Sequence, residues 1–210
     1  MNAKGFRFKQ ADIGKFKSHD SDIIAQKIKG NDRIMGLTMG KFSLIDLIHS
    51  ILKVVGKSDV IVATWSAGIK DVHQVKWLLD TGLINNITIV TDQSYKKRQA
   101  RYAMTIEELV GKENIRTTEI HAKFVLIKNE NFKICIRTSM NLNANPKCEN
   151  FEIDNDSEIY DFYFSFIESM FKNQKEGFAD RNFREINSNL KKFFAEDKEQ
   201  PEIQKQWWLN

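Results

Sequence analysis

The chain has 210 residues, of which 41% are hydrophobic, 29% charged and 11% aromatic, so it is long enough to bury a large core and has the balance of an ordinary globular domain. Two prolines and ten glycines exclude collagen-like segments and long linkers. A net charge of +4 permits an anionic partner without demanding one.

The opening "MNAKGFRFKQ" lacks an apolar signal core, and no run approaches the roughly 20 apolar residues that span a bilayer. The expectation is a cytoplasmic protein with no membrane partner. Cys135 alternates with charged residues in a predicted strand and Cys148 falls in a predicted polar loop, so both read as reduced thiols.

Residues 1–32 are polar and basic without a clear period, a loosely organised entry with at most a short helix at "DSDIIAQKIKG". "RIMGLT" (33–38) is a candidate strand. "SLIDLIHSILKVVG" reads as a helix, with Ser43 as N-cap, Asp46 completing an acidic capping box and Gly56 as C-cap. Its Leu44, Leu47, Ile48, Ile51, Leu52 and Val55 form one stripe.

"DVIVATW" (59–65) is a β-branched run suited to a buried strand, followed by the turn "SAG" and a helix over 69–80 closed by Gly82. "NITIVTD" (86–92) is a second such strand. A basic helical segment runs from Ser94 to Val110, closed by Gly111, and "NIRTTEI" is a third candidate strand. Strands alternating with helices predict parallel pairing and a sheet covered on both faces.

"AKFVLIK" and "FKICIRT", joined by "NEN", predict an antiparallel hairpin, which makes the sheet mixed. "DSEIYDFYFSFIESMFK" reads as a helix burying Ile159, Phe162, Phe166, Ile167 and Met170. Residues 178–210 hold a last amphipathic helix and a tail ending in Trp207 and Trp208. One domain over 1–210 is predicted, of the α/β class, with a mixed, mostly parallel sheet between helical layers.

The chemistry-bearing residues fall at the ends of the hairpin. Side chains two apart on a strand share a face, so His121 and Lys123 point the same way, as do Ser139 and Asn141. A hairpin brings its first residue and its last to the same sheet edge, so all four groups are predicted to meet there. Histidine offers a nitrogen nucleophile or a proton carrier, lysine a fixed positive charge, and Ser and Asn neutral donors. This set suits transfer of a phosphoryl group, where positioning and charge stabilisation carry most of the rate. The donors present include no carboxylate cluster for magnesium and no spaced His or Cys set for zinc, so metal-independent chemistry with no cofactor is expected.

"HAK" and "TSMN" resemble the two half-motifs of the phospholipase D superfamily, H-x-K followed by G-S-x-N. The likeness runs loosely over residues 40–172 and is specific only over 119–150. The motif's Asp falls at Lys128 here and its Gly at Thr138, and the spacer between the halves is longer. The resemblance implies a catalytic His121 and Lys123, phosphate binding by Ser139 and Asn141, and a carboxylate supporting the histidine, which "NPKCEN" places at Glu149 with Glu152 as an alternative.

A single copy of the motif implies a homodimer that shares one site. One histidine would then form a phosphohistidine while the other protonates the leaving oxygen. Compact single-motif members are often nucleases, so a nucleic acid, most simply DNA, is the implied substrate. The alternative is a catalytically impaired module of the same fold that binds phosphate or nucleic acid.

Lys96, Lys97, Arg98 and Arg101 lie in "YKKRQAR" and are candidates for contact with a phosphate backbone, against the plain reading of a solvated helix face. Trp65 and Ser66 end a predicted strand, where Trp65 is expected to be core. His19, His49 and His73 are read as surface or structural residues.

Overall fold

The computed structural model describes residues 14–16, 20–30, 33–178 and 183–195. Its strands are β1 (Gly14–Phe16), β2 (Arg33–Met39), β3 (Ser58–Thr64), β4 (Ile84–Asp92), β5 (Ile115–Thr118), β6 (Lys123–Lys128), β7 (Lys133–Thr138) and β8 (Cys148–Asp154). They form one sheet in the order β1-β2-β8-β7-β6-β3-β4-β5. The helices are α1 (Ser21–Gln26), α2 (Leu44–Val55), α3 (Ile69–Asp80), α4 (Tyr95–Arg98), α5 (Ala100–Val110), α6 (Ser157–Asn173) and α7 (Phe183–Ala195).

The sheet is mixed, as expected. Parallel pairing joins β1 to β2 and runs through β3, β4 and β5, while β2–β8, β8–β7, β7–β6 and β6–β3 are antiparallel. The antiparallel share is larger than expected because β8 has no strong strand signature. Its sequence "CENFEID" opens with three polar or small residues, and only Phe151, Ile153 and Asp154 are buried. Cys148, placed in a loop by its sequence surroundings, is the exposed first residue of that strand, and both cysteines are free.

One face of the sheet carries α2, whose stripe from Leu44 to Val55 is buried as predicted. Each such Leu or Ile contributes about 1.5–3 kcal/mol by leaving water. The Ser43–Asp46 capping box is present and starts the helix on two otherwise unpaired backbone N–H groups. Gly56 ends it at φ +89°, a left-handed value that only glycine adopts without strain. Residues of α1, α3 and α5 complete the same core layer.

The opposite face is covered by α6 and contains Ile61, Val90, Phe124, Leu126 and Cys135. The buried line of α6 is Tyr160, Ile167 and Met170, with Ile159 and Phe166 partly covered, whereas Phe162 is 67% exposed. Phe162 is therefore the one member of the predicted stripe that faces outward.

The basic segment is two helices, not one. Gln99 has φ −142° and ψ 52°, which separates α4 from α5. α4 is fixed independently: Tyr95 donates its hydroxyl to the Ala67 carbonyl (2.8 Å), and Ser94 donates its backbone N–H to Asp92 (2.9 Å). These bonds tie α4 to the ends of β3 and β4. Residues 196–210, including Trp207 and Trp208, and His19 lie outside the described residues.

Candidate active site

The strand directions place the ends of β2, β3, β4 and β7 and the starts of β6 and β8 along one edge of the sheet. His121 stands exposed just before β6, and Lys123 opens that strand paired with Thr138. The Lys123 ammonium lies 3.2 Å from His121 Nδ1 and 3.3 Å from Nε2. A neutral imidazole can accept at only one of those nitrogens, so the ammonium acts mainly as a charge at the ring edge. Burial pushes the Lys123 pKa below the ordinary lysine value, and the negative charge of Glu149 partly offsets this.

The loop leaving β7 is bound to the turn after β3. Leu142 donates to the Ser66 carbonyl (3.1 Å) and Gly68 donates to the Leu142 carbonyl (2.7 Å), a short parallel bridge between Ala67 and Leu142. Asn141 accepts a 3.4 Å bond from the Thr64 hydroxyl. The Ser139–Asn141 segment is therefore held at the edge that carries His121 and Lys123, and the structure brings these four predicted residues to one end of the sheet.

Glu149 and Glu152 separate clearly. The Glu149 carboxylate accepts from the Ser139 hydroxyl and from Asn145 Nδ2 (2.8 Å). Glu152 pairs with Arg137 at 2.7 Å, next to the buried Asp154, which bonds Arg33 and Arg137. Alternation along β8 puts Glu152 on the other face of the sheet. Asn145 was not singled out by the sequence. Its signal would have been the four-residue spacing to Glu149 across Pro146.

The two motif departures have local explanations. Lys128 ends β6 while Lys123 begins it, about 17 Å away at strand rise, so the missing acidic residue is remote from the histidine. The Thr138 hydroxyl donates to the Asn150 carbonyl (2.5 Å) and accepts from the Met140 N–H (3.0 Å). No described non-glycine residue has a positive φ, so the position does not require glycine's conformational freedom. The hairpin turn between the two half-motifs is closed at Asn129, whose side chain accepts from Asn131 and Phe132 and donates to the Val55 carbonyl.

Among the basic residues of α4 and α5, Arg98 reaches the site. Its guanidinium lies 3.8 Å from the centre of the Trp65 ring and donates to the Trp65 carbonyl (2.9 Å), and Trp65 in turn meets the His121 ring at 5.7 Å. Trp65 is half-buried rather than core. Lys96 is half-buried, while Lys97 and Arg101 are exposed on the same segment. His49 is half-buried on α2, and His73 is exposed on α3. Among the described residues, no group of three or more His, Cys, Asp or Glu side chains is placed to hold a metal ion, and no helix is long and apolar enough to cross a membrane.

No family model matches the sequence, and no curated protein matches it. Solved structures do. Phosphatidylserine synthase from Haemophilus influenzae Rd KW20 aligns over 79% of this chain and 45% of its own, with TM-score 0.50 and 15% identity. NucT from Helicobacter pylori aligns over 69% of this chain and 99% of its own, with TM-score 0.49 and 14% identity. Nuc from Salmonella typhimurium, described as a phospholipase D family member, aligns over 57% of this chain and 80% of its own, with TM-score 0.42 and 13% identity. The likeness to the phosphatidylserine synthase structure is one of fold: an α/β chain with a mixed sheet between helical layers.

Proposed function

We propose that this chain is a metal-independent phosphodiesterase that cleaves nucleic acid, most simply DNA, at a site shared by two copies of the chain. The observation that carries the reading is the His121–Lys123 pair, side by side at an open sheet edge where the Ser139–Asn141 segment converges. Arg98 and its neighbours add positive charge on the same side, in keeping with a polyanionic substrate.

In the proposed reaction a His121 ring nitrogen attacks phosphorus, and the bond from phosphorus to the leaving oxygen breaks. The second subunit's copy of that histidine delivers a proton to the leaving oxygen. The same copy then takes a proton from water, whose oxygen attacks phosphorus and releases His121. Lys123 holds a non-bridging phosphate oxygen, with Asn141 as a neutral partner.

The test is hydrolysis of a DNA oligonucleotide and of bis(p-nitrophenyl) phosphate in EDTA, alongside sedimentation of the purified chain. The reading predicts turnover by a dimer and its loss in His121→Ala.

A second reading has its own support. Ser139 and Glu149 bond each other, and among the described residues no carboxylate is hydrogen-bonded to His121. A binding module that keeps the phosphate site without turnover would have this arrangement. It predicts DNA binding that weakens with salt and no hydrolysis by the wild-type chain.

A further inference from the structure

We propose that Trp65 is a positioning residue for His121, and that Arg98 holds Trp65 in place; the inference rests on the phosphodiesterase reading above. A continuous line of contacts leads from the end of β4 to the histidine. Asp92 accepts from the Ser94 backbone N–H (2.9 Å) and from the Ser94 hydroxyl, which itself accepts from Arg98 Nε at 3.0 Å. The Arg98 guanidinium then lies on the Trp65 ring, 3.8 Å from its centre, and bonds the Trp65 carbonyl at 2.9 Å. The indole meets the His121 ring at 5.7 Å with a 56° tilt.

His121 needs such a support. It lies outside the strand, exposed, and no described carboxylate is hydrogen-bonded to it. Lys123, nearly equidistant from both ring nitrogens, gives charge but does not fix a single ring orientation. A nucleophile whose ring rotates freely spends little time aligned with phosphorus, so a contact that restricts the ring raises turnover more than it raises affinity. An indole wall does this without taking up the attacking nitrogen's lone pair. A half-buried tryptophan beside a basic segment could also serve as a platform for a nucleic acid base. Here, however, Arg98 already occupies the ring at stacking distance, which favours the positioning role.

The experiment follows hydrolysis of bis(p-nitrophenyl) phosphate, which carries no base, and of a DNA oligonucleotide, by wild-type chain and by Trp65→Ala, Trp65→Phe, Arg98→Ala and His121→Ala. On both substrates Trp65→Ala is expected to lower kcat by about 30-fold with KM within about threefold, because misalignment costs rate rather than binding. Trp65→Phe keeps an aromatic wall and is expected to return kcat to within about threefold of wild type. Arg98→Ala, a change at an exposed side chain that leaves folding intact, is expected to lower kcat by about fivefold and keeps the test open if Trp65→Ala does not fold.

Unchanged kcat in the folded Trp65 and Arg98 variants beside an inactive His121→Ala overturns the inference alone. A KM rise confined to DNA, with the small diester unaffected, also overturns it and makes Trp65 a base platform. A wild-type chain that hydrolyses neither substrate overturns the phosphodiesterase reading and the inference together, and a fully active His121→Ala overturns the catalytic role of His121 and with it the inference.

Discussion

Ser139 donates its hydroxyl hydrogen to the carboxylate of Glu149, joining the loop that leaves β7 to the start of β8. The same Ser139 oxygen accepts from the Asn150 N–H at 3.0 Å, and Asn145 holds the other carboxylate oxygen at 2.8 Å. The proton that Ser139 would offer a phosphate is thus directed at Glu149. The serine acts first on the position of that carboxylate, and Glu149 in turn contributes to the potential at Lys123.

Because the two side chains share one bond, their substitutions are not additive. Ser139→Ala and Glu149→Ala, alone and combined, are expected to show a coupling of about 0.5–1.5 kcal/mol in urea unfolding, the range of a hydrogen bond between groups open to water. Additivity within experimental error contradicts the contact.

Thr138 closes the turn with both lone pair and proton of its hydroxyl. Restoring the motif residue by Thr138→Gly is expected to destabilise the chain by about 1 kcal/mol, through lost hydrogen bonds and a freer backbone, and not to raise turnover. Thr138→Ser keeps the hydroxyl and recovers most of the loss. Thermal unfolding of the three proteins decides it.

Gly40 follows β2 at φ +69°, and a side chain there would meet the Pro146 backbone at 2.4 Å. Gly40→Ala combines left-handed strain with displacement of the loop that carries Asn145. The expected cost is about 1–3 kcal/mol, with activity falling alongside stability. A chain as stable as wild type in guanidinium contradicts this packing.

In the proposed reaction Lys123 holds phosphate only while protonated, and burial keeps its pKa below the ordinary lysine value. The direction of the pH effect follows. Its charge is complete well below that lowered pKa and is lost as pH rises through it, so the alkaline limb of kcat/KM should fall earlier than an exposed lysine would give. Lys123→Arg stays charged and should remove that limb, at reduced maximal activity because the guanidinium's geometry differs. An alkaline limb unmoved in Lys123→Arg assigns it to another group.

Much of this arrangement was legible in the sequence because it depends on local rules. The α2 stripe and its capping box, the 69–80 helix and the hairpin each follow from periodicity, capping and turn chemistry within about a dozen residues. Hairpin geometry already places His121, Lys123, Ser139 and Asn141 at one sheet edge, and the bonds to Thr64, Ser66 and Gly68 hold the last two there.

What escaped depends on contacts distant in sequence. β8 is a strand because β2 and β7 flank it, not because "CENFEID" alternates strongly. The break at Gln99 arises from the attachment of α4 to Ala67 and Asp92. Trp65 is half-buried rather than core because its ring lies between Arg98, 33 positions away, and the ring of His121. Asn145 is the exception: its contact with Glu149 is only four residues long, but it turns across Pro146 with no periodic signature.

The central claim is tested most directly by quenching a reaction with a phosphorus-labelled DNA phosphodiester in EDTA and measuring label bound to protein. The account predicts a covalent label that is stable in alkali, labile in acid, located on His121 and absent from His121→Ala. Turnover with no such label, or equal labelling of His121→Ala, would contradict it.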